Sequence, residues 1–355
     1  MSVQRVAATQ VLRNLSHYDT VIDARSPGEY ALDRLPGAVN WWTLDNAQHA
    51  RVGTIYVRQS AFEARKLGAV YAARNIAAHI ERAAPTLEKN WHPLVYCRRG
   101  GQRSGALATV LGQIGFAVHV LDGGYKAFRR AMLDDLVQRL NALRFIVLCG
   151  PTGSGKTRLL HALREVGAQT LDLEDLASHR ASVLGTLPDR AQPSQKRFDS
   201  LLWQAVCTAD AAQPVFIEAE SRKVGNLMLP DALADAMHAA PCVRVELPPA
   251  ERVALLLEDY PHHMKDVDAL TTRLDALTAL CSRAAVQRWT AQAHAGQWHE
   301  LVADLLRRHY DPGYERSTRR TFARFAQAQE LVLPDRSPAA LRTAARTLLR
   351  TVAAS

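Results

Sequence analysis

Hydrophobic positions in the first third of the chain alternate between short apolar runs and longer amphipathic stretches. Three short runs predict buried strands, at 20–24 (TVIDA), 93–96 (PLVY) and 117–121 (AVHVL). Residues 103–114 show helical spacing and end at Gly115, a residue typical of helix C-termini. Because strands that alternate with helices form parallel sheets with helices on their faces, the predicted fold class is α/β.

A second α/β pattern begins near residue 144. It predicts strands at 144–149, 170–173, 214–217 and 242–247 and helices at 156–166 and 194–209. After residue 248 helical patterns dominate and no further strand is expected. The predicted domains are an N-terminal parallel-sheet domain at 1–133, a linker helix at 134–143, a second parallel-sheet domain at 144–260 and a helical C-terminal region at 261–355.

The amino-acid composition indicates a folded protein and argues against a membrane-spanning one. The 355 residues are 48% hydrophobic and 22% charged, which is typical of a folded protein with about two domains. No apolar stretch approaches the roughly 20 residues that span a bilayer, and the N-terminus lacks a signal-peptide pattern, so we expect a cytoplasmic protein. The net charge of +9 leaves nucleic acid, anionic lipid and phosphorylated metabolites open as partners.

The segment 95–104 (VYCRRGGQRS) places Cys97 between a predicted strand and a predicted helix. Backbone N–H groups and the positive end of the helix then converge on the sulfur, three arginines add charge, and two glycines permit a tight turn. We therefore predict a catalytic Cys97 with a lowered pKa. A buried structural cysteine is the alternative. The residues predicted to bind an oxyanion are Arg98, Arg99, Gly100, Gly101 and Arg103.

Residues 150–157 (GPTGSGKT) fit the phosphate-loop pattern G-x-x-x-x-G-K-[ST] between a strand and a helix. In such a loop backbone N–H groups face phosphate oxygens and Lys156 reaches the terminal phosphates. The pattern predicts a diphosphate-like ligand, which need not be ATP. The predicted diphosphate-binding residues are Gly150, Gly153, Ser154, Gly155, Lys156 and Thr157.

Oxygen-bearing side chains near this loop form a candidate Mg²⁺ site. The Thr157 hydroxyl is one predicted ligand, and Glu218 and Glu220, which follow the strand at 214–217, are the others. Their directions stay open if the strand ends at residue 217, and a solvated acidic turn is the alternative. Asp172 is a weaker acidic candidate.

Basic and aromatic residues are interleaved near the C-terminus. Such a surface can contact RNA phosphates and stack on bases, although a solvated helix face is the alternative. His309, Tyr314 and Arg324 lie in the same segment. The residues predicted to contact RNA are Arg307, Arg308, Tyr310, Arg316, Arg319 and Arg320.

Together with the Cys97 loop, three segments resemble the rhodanese family: 21–30 (VIDARSPGEY), 35–40 (LPGAVN) and 120–128 (VLDGGYKAF). The resemblance implies that Cys97 carries a persulfide or a related chalcogen. The loop has seven residues from Cys97 to Arg103, one more than many rhodaneses, which leaves room for a tetrahedral oxyanion. Asp23 and Arg25, in the first segment, are interpreted as a structural ion pair.

The order of the two domains and four further motifs resemble the tRNA 2-selenouridine synthase family: 172–185 (DLEDLASHRASVLG), 192–199 (QPSQKRFD), 217–226 (IEAESRKVGN) and 309–314 (HYDPGY). The resemblance implies a transferase that acts on wobble 2-thiouridine in tRNA. Geranyl diphosphate, bound at the phosphate loop, would alkylate the sulfur, and selenium from selenophosphate, bound at the Cys97 loop, would replace the S-geranyl group. His179 and Arg180, inside one motif, are weak site candidates.

Two alternatives remain from the residues alone. One is an ATP-dependent kinase with a regulatory rhodanese module, in which Arg252 or Arg222 would reach the phosphates. The other is a module that delivers sulfur or selenium to another enzyme, which leaves the phosphate loop unexplained.

Overall fold

The computed structural model describes residues 3–180, 190–279 and 281–353, and the chain forms two compact units. The N-terminal unit comprises Met1–Leu136 and Pro193–Gln204, and the C-terminal unit comprises Val137–Gln192 and Ala205–Ser355. This division differs from the boundaries expected from sequence, because 193–204 joins the first unit. There the Ser200 hydroxyl donates to the Asp33 carboxylate at 3.0 Å, and the Trp203 indole N–H donates to Asp135 at 2.7 Å.

The N-terminal unit contains a five-stranded parallel sheet in the order β1-β5-β4-β2-β3. The three predicted strands are confirmed as β2, β4 and β5. Strands β1 and β3 lie at the sheet edges and were missed because they are too short to show an apolar run. The strands are β1 (Gln4–Val6), β2 (Thr20–Asp23), β3 (Val39–Asn40), β4 (Pro93–Tyr96) and β5 (His119–Leu121).

Helices cover the sheet of the N-terminal unit, and Ile22, Val95, Leu107 and Leu111 are fully enclosed in its core. Gly115 has φ +113°, which confirms the predicted end of the helix before it. The linker helix expected at 134–143 is the second half of one longer helix, α6. The helices are α1 (Ala8–Arg13), α2 (Pro27–Leu32), α3 (Asn46–Arg58), α4 (Ala61–Ala83), α5 (Gln102–Ile114) and α6 (Gly124–Ala142).

The C-terminal unit contains a second five-stranded parallel sheet, in the order β12-β11-β6-β8-β7, and a small antiparallel hairpin of β9 and β10. The expectation that no strand follows residue 248 is wrong. Strand β12 pairs with β11 at the sheet edge, and its mostly exposed residues carry no apolar run. The strands are β6 (Phe145–Cys149), β7 (Gln169–Leu171), β8 (Val215–Glu218), β9 (Lys223–Val224), β10 (Leu227–Met228), β11 (Cys242–Glu246) and β12 (Gln329–Val332).

The last helix packs on this sheet through Leu341, Ala345 and Leu348, so the C-terminal region completes the sheet domain as well as adding helices to it. A separate apolar cluster around Trp289 holds the intervening helices together. None of the described helices is long and apolar enough to cross a membrane. The helices that follow β6 along the chain, of which α9 belongs mostly to the N-terminal unit, are α7 (Lys156–Glu165), α8 (Leu173–Ala177), α9 (Gln195–Cys207), α10 (Asp231–Ala239), α11 (Pro249–Asp259), α12 (Pro261–Lys265), α13 (Val267–Asp275), α14 (Arg283–His294), α15 (Trp298–Leu305), α16 (Asp311–Thr321) and α17 (Pro338–Ala353).

Candidate functional site

Cys97 lies at the carboxyl end of β4, where its buried thiol faces the first turn of α5. The Ser104 hydroxyl donates a hydrogen bond to the Cys97 Sγ at 3.2 Å. Burial alone would raise the pKa of Cys97, but this bond and bonds from the backbone N–H groups of Ser104, Arg99 and Gly101 lower it. The predicted low pKa is confirmed, and its cause is hydrogen bonding, with Ser104 as a contributor that sequence reasoning missed.

The three arginines of the loop do not act on the thiol as one set. The Arg103 guanidinium forms an ion pair with Glu29, with Nη1 and Oε2 2.5 Å apart. Burial alone would raise the pKa of Glu29, but Arg103 lowers it to about 2. Arg98 and Arg99 are exposed. The positive charge available to an anion at the loop therefore comes mainly from Arg98 and Arg99.

Of the two glycines in the Cys97 loop, the backbone conformation requires glycine only at position 100. Gly100 has φ +66°, and a Cβ there would lie 2.7 Å from the Leu121 carbonyl oxygen. Gly101 has an ordinary negative φ and open space around it. The loop also packs on the turn after β5, where the Tyr125 N–H donates to the Cys97 carbonyl oxygen at 2.8 Å. The loop is thus held close against that turn.

Asp23 and Arg25 form a buried ion pair, as predicted. Arg25 Nη2 lies 2.6 Å from Asp23 Oδ2 and also donates to the Asp33 carbonyl oxygen at 2.6 Å. The Tyr96 hydroxyl donates to the same Asp23 oxygen at 2.7 Å. These bonds tie β2 to β4 and to the segment after α2, which keeps the Cys97 loop in place.

A basic cavity of about 380 Å³ lies beside the Cys97 loop within the N-terminal unit. Sequence reasoning missed it, although the spacing of three of its residues already places them on one face of a helix. Arg129 is held by Asp199 at 2.6 Å. The basic side chains that line the cavity are Arg98, Lys126, Arg129, Arg130 and Lys196.

The phosphate loop connects β6 to α7 in the C-terminal unit, as predicted. Gly153 and Gly155 have φ +77° and +86°, and α7 begins at Lys156. The Lys156 ammonium donates to the Gly150 carbonyl oxygen at 2.7 Å. The Tyr314 hydroxyl accepts from the Gly150 N–H at 2.5 Å, and the Lys156 nitrogen lies 5.7 Å from the centre of the Tyr314 ring. Tyr314, which lies in the segment expected to contact RNA, is therefore part of the phosphate-loop site.

Three carboxylates meet beside this loop. Glu174, Glu218 and Glu220 each offer an oxygen within 4.8 Å of the others. Burial raises the pKa of Glu218 to about 8, with Glu174 the next cause. The pKa of Glu220 is raised for the same reasons, and Thr157 is hydrogen-bonded to Glu218.

These oxygen donors fit a divalent cation. Oxygen ligands at close range suit Mg²⁺, and Glu218 Oε1 is buried without a hydrogen-bond partner in the described part of the chain. The sequence did not indicate Glu174 as a metal ligand, because it lies on α8, which is distant in sequence from Glu218 and Glu220. Asp172 has a different role: it caps α8 by accepting from the Asp175 N–H at 2.9 Å and lies 2.8 Å from His161.

The cavity that contains these groups has a volume of about 380 Å³. Arg158 and Arg180 line it and both contact Asp259, whereas His179 is not among its lining residues. Arg252 lies outside the lining; it donates to the Thr152 carbonyl oxygen at 2.7 Å and pairs with Asp311 at 2.6 Å.

Arg222 likewise lies outside the cavity lining, where it pairs with Asp231 and Asp235. Neither Arg222 nor Arg252, the two arginines suggested for the kinase alternative, therefore lines the cavity.

The C-terminal arginines are exposed, but several are already paired. Arg307 and Arg308 contact Asp304 at 2.6 and 2.8 Å, and Arg319 contacts Glu315 at 3.0 Å. Arg316 donates to the Pro312 carbonyl oxygen, and Arg320 is exposed on the same helix. Tyr310 is half-buried and lines an apolar cavity. RNA contact at this segment stays a prediction.

Comparison with known proteins gives two family matches. Residues 7–131 match the rhodanese-like domain, and residues 143–272 match the family described as the tRNA 2-selenouridine synthase AAA domain. Proteins called tRNA 2-selenouridine synthase from Alcanivorax borkumensis and Cupriavidus pinatubonensis are 31% and 33% identical. Each alignment covers 83% of this chain, and 88% and 87% of the relative. The protein of that name from Nitrosomonas europaea is 33% identical over 68% of this chain and 63% of the relative.

Proposed function

Because the chain belongs to the tRNA 2-selenouridine synthase family, we propose that it converts wobble 2-thiouridine in tRNA into 2-selenouridine by two successive transfers. The first uses geranyl diphosphate at the phosphate loop, and the second uses selenophosphate at the Cys97 loop. The observation that carries this proposal is the phosphate-loop cavity, which is lined by Lys156 and by three carboxylates, two of them buried and one half-buried.

In the first transfer the thiocarbonyl sulfur attacks C1 of the geranyl group. The new S–C bond forms as the C1–O bond breaks, and N3 of the base loses its proton. Negative charge grows on the departing diphosphate, where the Lys156 ammonium and the loop N–H groups stabilise it. A divalent cation held by Thr157, Glu174, Glu218 and Glu220 would add further positive charge at the same place.

Tyr314 has a positioning role in this step. Its hydroxyl accepts from the Gly150 N–H, and its ring faces the Lys156 ammonium. Lys156 is also held by the Gly150 carbonyl oxygen, so both ends of the loop are fixed before a diphosphate binds. Such preorganisation lowers the cost of arranging charge in the transition state.

In the second transfer selenium attacks C2 of the S-geranylated base, and geranylthiolate leaves as the C2–S bond breaks. Selenium comes directly from selenophosphate, in which case water then cleaves the P–Se bond and releases phosphate, or from a Cys97 perselenide. Forming that perselenide from selenophosphate needs a two-electron oxidant such as a disulfide, and a second thiol must then cleave the S–Se bond to free the base. The low pKa of the Cys97 thiol suits the perselenide, while exposed Arg98 and Arg99 suit binding of the selenophosphate dianion. The basic cavity beside the loop supports binding of an RNA phosphate near Cys97.

The test is reconstitution with the purified full-length chain and tRNA that carries 2-thiouridine. Geranyl diphosphate alone should give S-geranyl-2-thiouridine, and later addition of selenophosphate should give 2-selenouridine. Lys156→Ala should slow the first product by about 10²–10³-fold and still convert pre-geranylated tRNA. If ATP is required for the first step, or if no S-geranyl product forms, the proposal is wrong.

A further inference from the structure

An apolar cavity lies in the C-terminal unit next to the phosphate loop. Its walls come from α11, α12, α13 and α15 and from the π-helical turn Leu306–Tyr310. Six of its lining residues are leucines, and Met264, Trp298 and Val302 add further apolar surface. Among the residues that the structure describes, the lining includes no carboxylate, amide or guanidinium side chain. Such a cavity favours a hydrocarbon over a ligand that must form hydrogen bonds.

This cavity adjoins the phosphate-loop cavity. Thr152, Leu256 and Tyr260 line both. A Cβ at Gly153 would lie 3.0 Å from Leu256 Cδ1, which shows that α11 packs directly on the phosphate loop. The two cavities therefore share a wall beside the phosphate loop.

We propose, resting on the function proposed above, that this cavity holds the geranyl chain of geranyl diphosphate. The diphosphate would occupy the phosphate loop, and the ten-carbon chain would follow Leu256 into the apolar lining. Each methylene removed from water raises affinity by roughly four-fold, so the cavity supplies binding energy that inorganic diphosphate lacks. A nucleobase would need donors and acceptors along its edge, and the side chains in this lining offer few.

The cavity must widen when the chain enters. Its volume is about 70 Å³, well below the roughly 300–1,000 Å³ of typical small-molecule sites. Met264 lies on the five-residue helix α12, is half-buried and has an unbranched, adaptable side chain. We expect Met264 to move when the prenyl chain binds. Because the cavity is small, the size of its lining residues should set the length of the prenyl chain that it accepts.

The experiment compares the affinity of the full-length chain for geranyl diphosphate, inorganic diphosphate and ATP in the native protein and in Val302→Trp. The larger side chain should exclude two or more methylenes, and therefore lower the affinity for geranyl diphosphate by about ten-fold or more. Affinity for inorganic diphosphate should stay within about two-fold, which also shows that the variant is folded. Val332→Trp, at a valine that is 65% exposed on β12, is the matched control and should change neither affinity.

A second variant keeps the test independent of whether tryptophan is tolerated. Val302→Ala should raise transfer from farnesyl diphosphate relative to geranyl diphosphate by several-fold, measured on tRNA that carries 2-thiouridine. If the native chain prefers geranyl diphosphate over inorganic diphosphate but neither Val302 variant alters the preference, the chain lies elsewhere and the proposed function stands. A native chain that shows no such preference contradicts both proposals. Tight ATP binding that Val302→Trp abolishes would instead assign the cavity to a nucleobase.

Discussion

Ser104→Ala should raise the pKa of Cys97, because it removes the hydrogen bond that Ser104 Oγ donates to Sγ at 3.2 Å. A hydrogen bond to a charged group contributes about 1.5–3 kcal/mol, and one pKa unit corresponds to about 1.4 kcal/mol. The expected rise is therefore about 1–2 pKa units. Because half of a thiol is ionised at its pKa and the ionised fraction falls below that pH, the variant should hold less thiolate than the native chain at any pH near that value.

The assay is thiolate absorbance in the ultraviolet as a function of pH, taken as the difference between each protein and its Cys97→Ser counterpart. Taking this difference cancels the absorbance of the other four cysteines. Thr109→Ala is the matched control, because Thr109 lies on the same helix and its hydroxyl donates to the Gly105 carbonyl oxygen instead. The reasoning fails if Ser104→Ala leaves the pKa unchanged while neutralising Arg98 and Arg99 raises it, since net charge would then control the thiol.

Three further outcomes follow from the structure. Asp23→Asn breaks a buried ion pair and should lower the free energy of unfolding, measured in urea titrations, by about 3–5 kcal/mol. Glu315→Gln, at an exposed ion pair, should change the free energy of unfolding by less than about 1 kcal/mol, and equal effects of the two substitutions would contradict the account. Glu174→Gln should remove most of the Mg²⁺-dependent gain in diphosphate affinity, measured with Mg²⁺ and with EDTA, while Asp175→Asn on the same helix should keep it. Affinity for tRNA should fall steeply with salt, and Arg320→Ala should reduce the log–log slope by about 0.7–0.9 if that side chain neutralises one phosphate; an unchanged slope would remove Arg320 from the interface.

Sequence reasoning located both loops because their chemistry is encoded locally. Cys97 and Lys156 each sit in a short segment that follows a strand and opens a helix, and the backbone of that segment does much of the binding. The pattern of neighbouring residues is then sufficient. The same pattern also predicted the low pKa of Cys97. The prediction relied partly on the charge of the arginines, whereas the structure lowers the pKa through hydrogen bonds from Ser104 and from backbone N–H groups.

Contacts between distant segments could not be predicted in the same way. Tyr314 reaches Gly150 across 164 residues, and Arg103 reaches Glu29 across 74. Arg103 illustrates the consequence, because its charge is compensated by a partner that no local pattern indicates. Glu174 likewise joins Glu218 only after two strands have paired.

The observed division of the chain also depends on features that hydrophobic patterns do not encode. Strand β12 lies at a sheet edge with mostly exposed side chains, so it lacks the apolar run that reveals a buried strand. The segment Pro193–Gln204 belongs to the N-terminal unit through side-chain hydrogen bonds such as that from Ser200 to Asp33. Hydrophobic periodicity predicts that the segment is helical, but it does not indicate which of the two units the helix packs in.

The central claim is that the two loops perform consecutive steps, and nucleoside mass spectrometry of tRNA tests it most directly. Cells whose only copy of the protein carries Cys97→Ser should accumulate S-geranyl-2-thiouridine and lack 2-selenouridine. Cells that carry only Lys156→Ala should lack both nucleosides. Normal levels of 2-selenouridine in either strain would contradict the role assigned to that residue, and normal levels of S-geranyl-2-thiouridine in the Lys156→Ala strain would contradict the assignment of the first step to the phosphate loop.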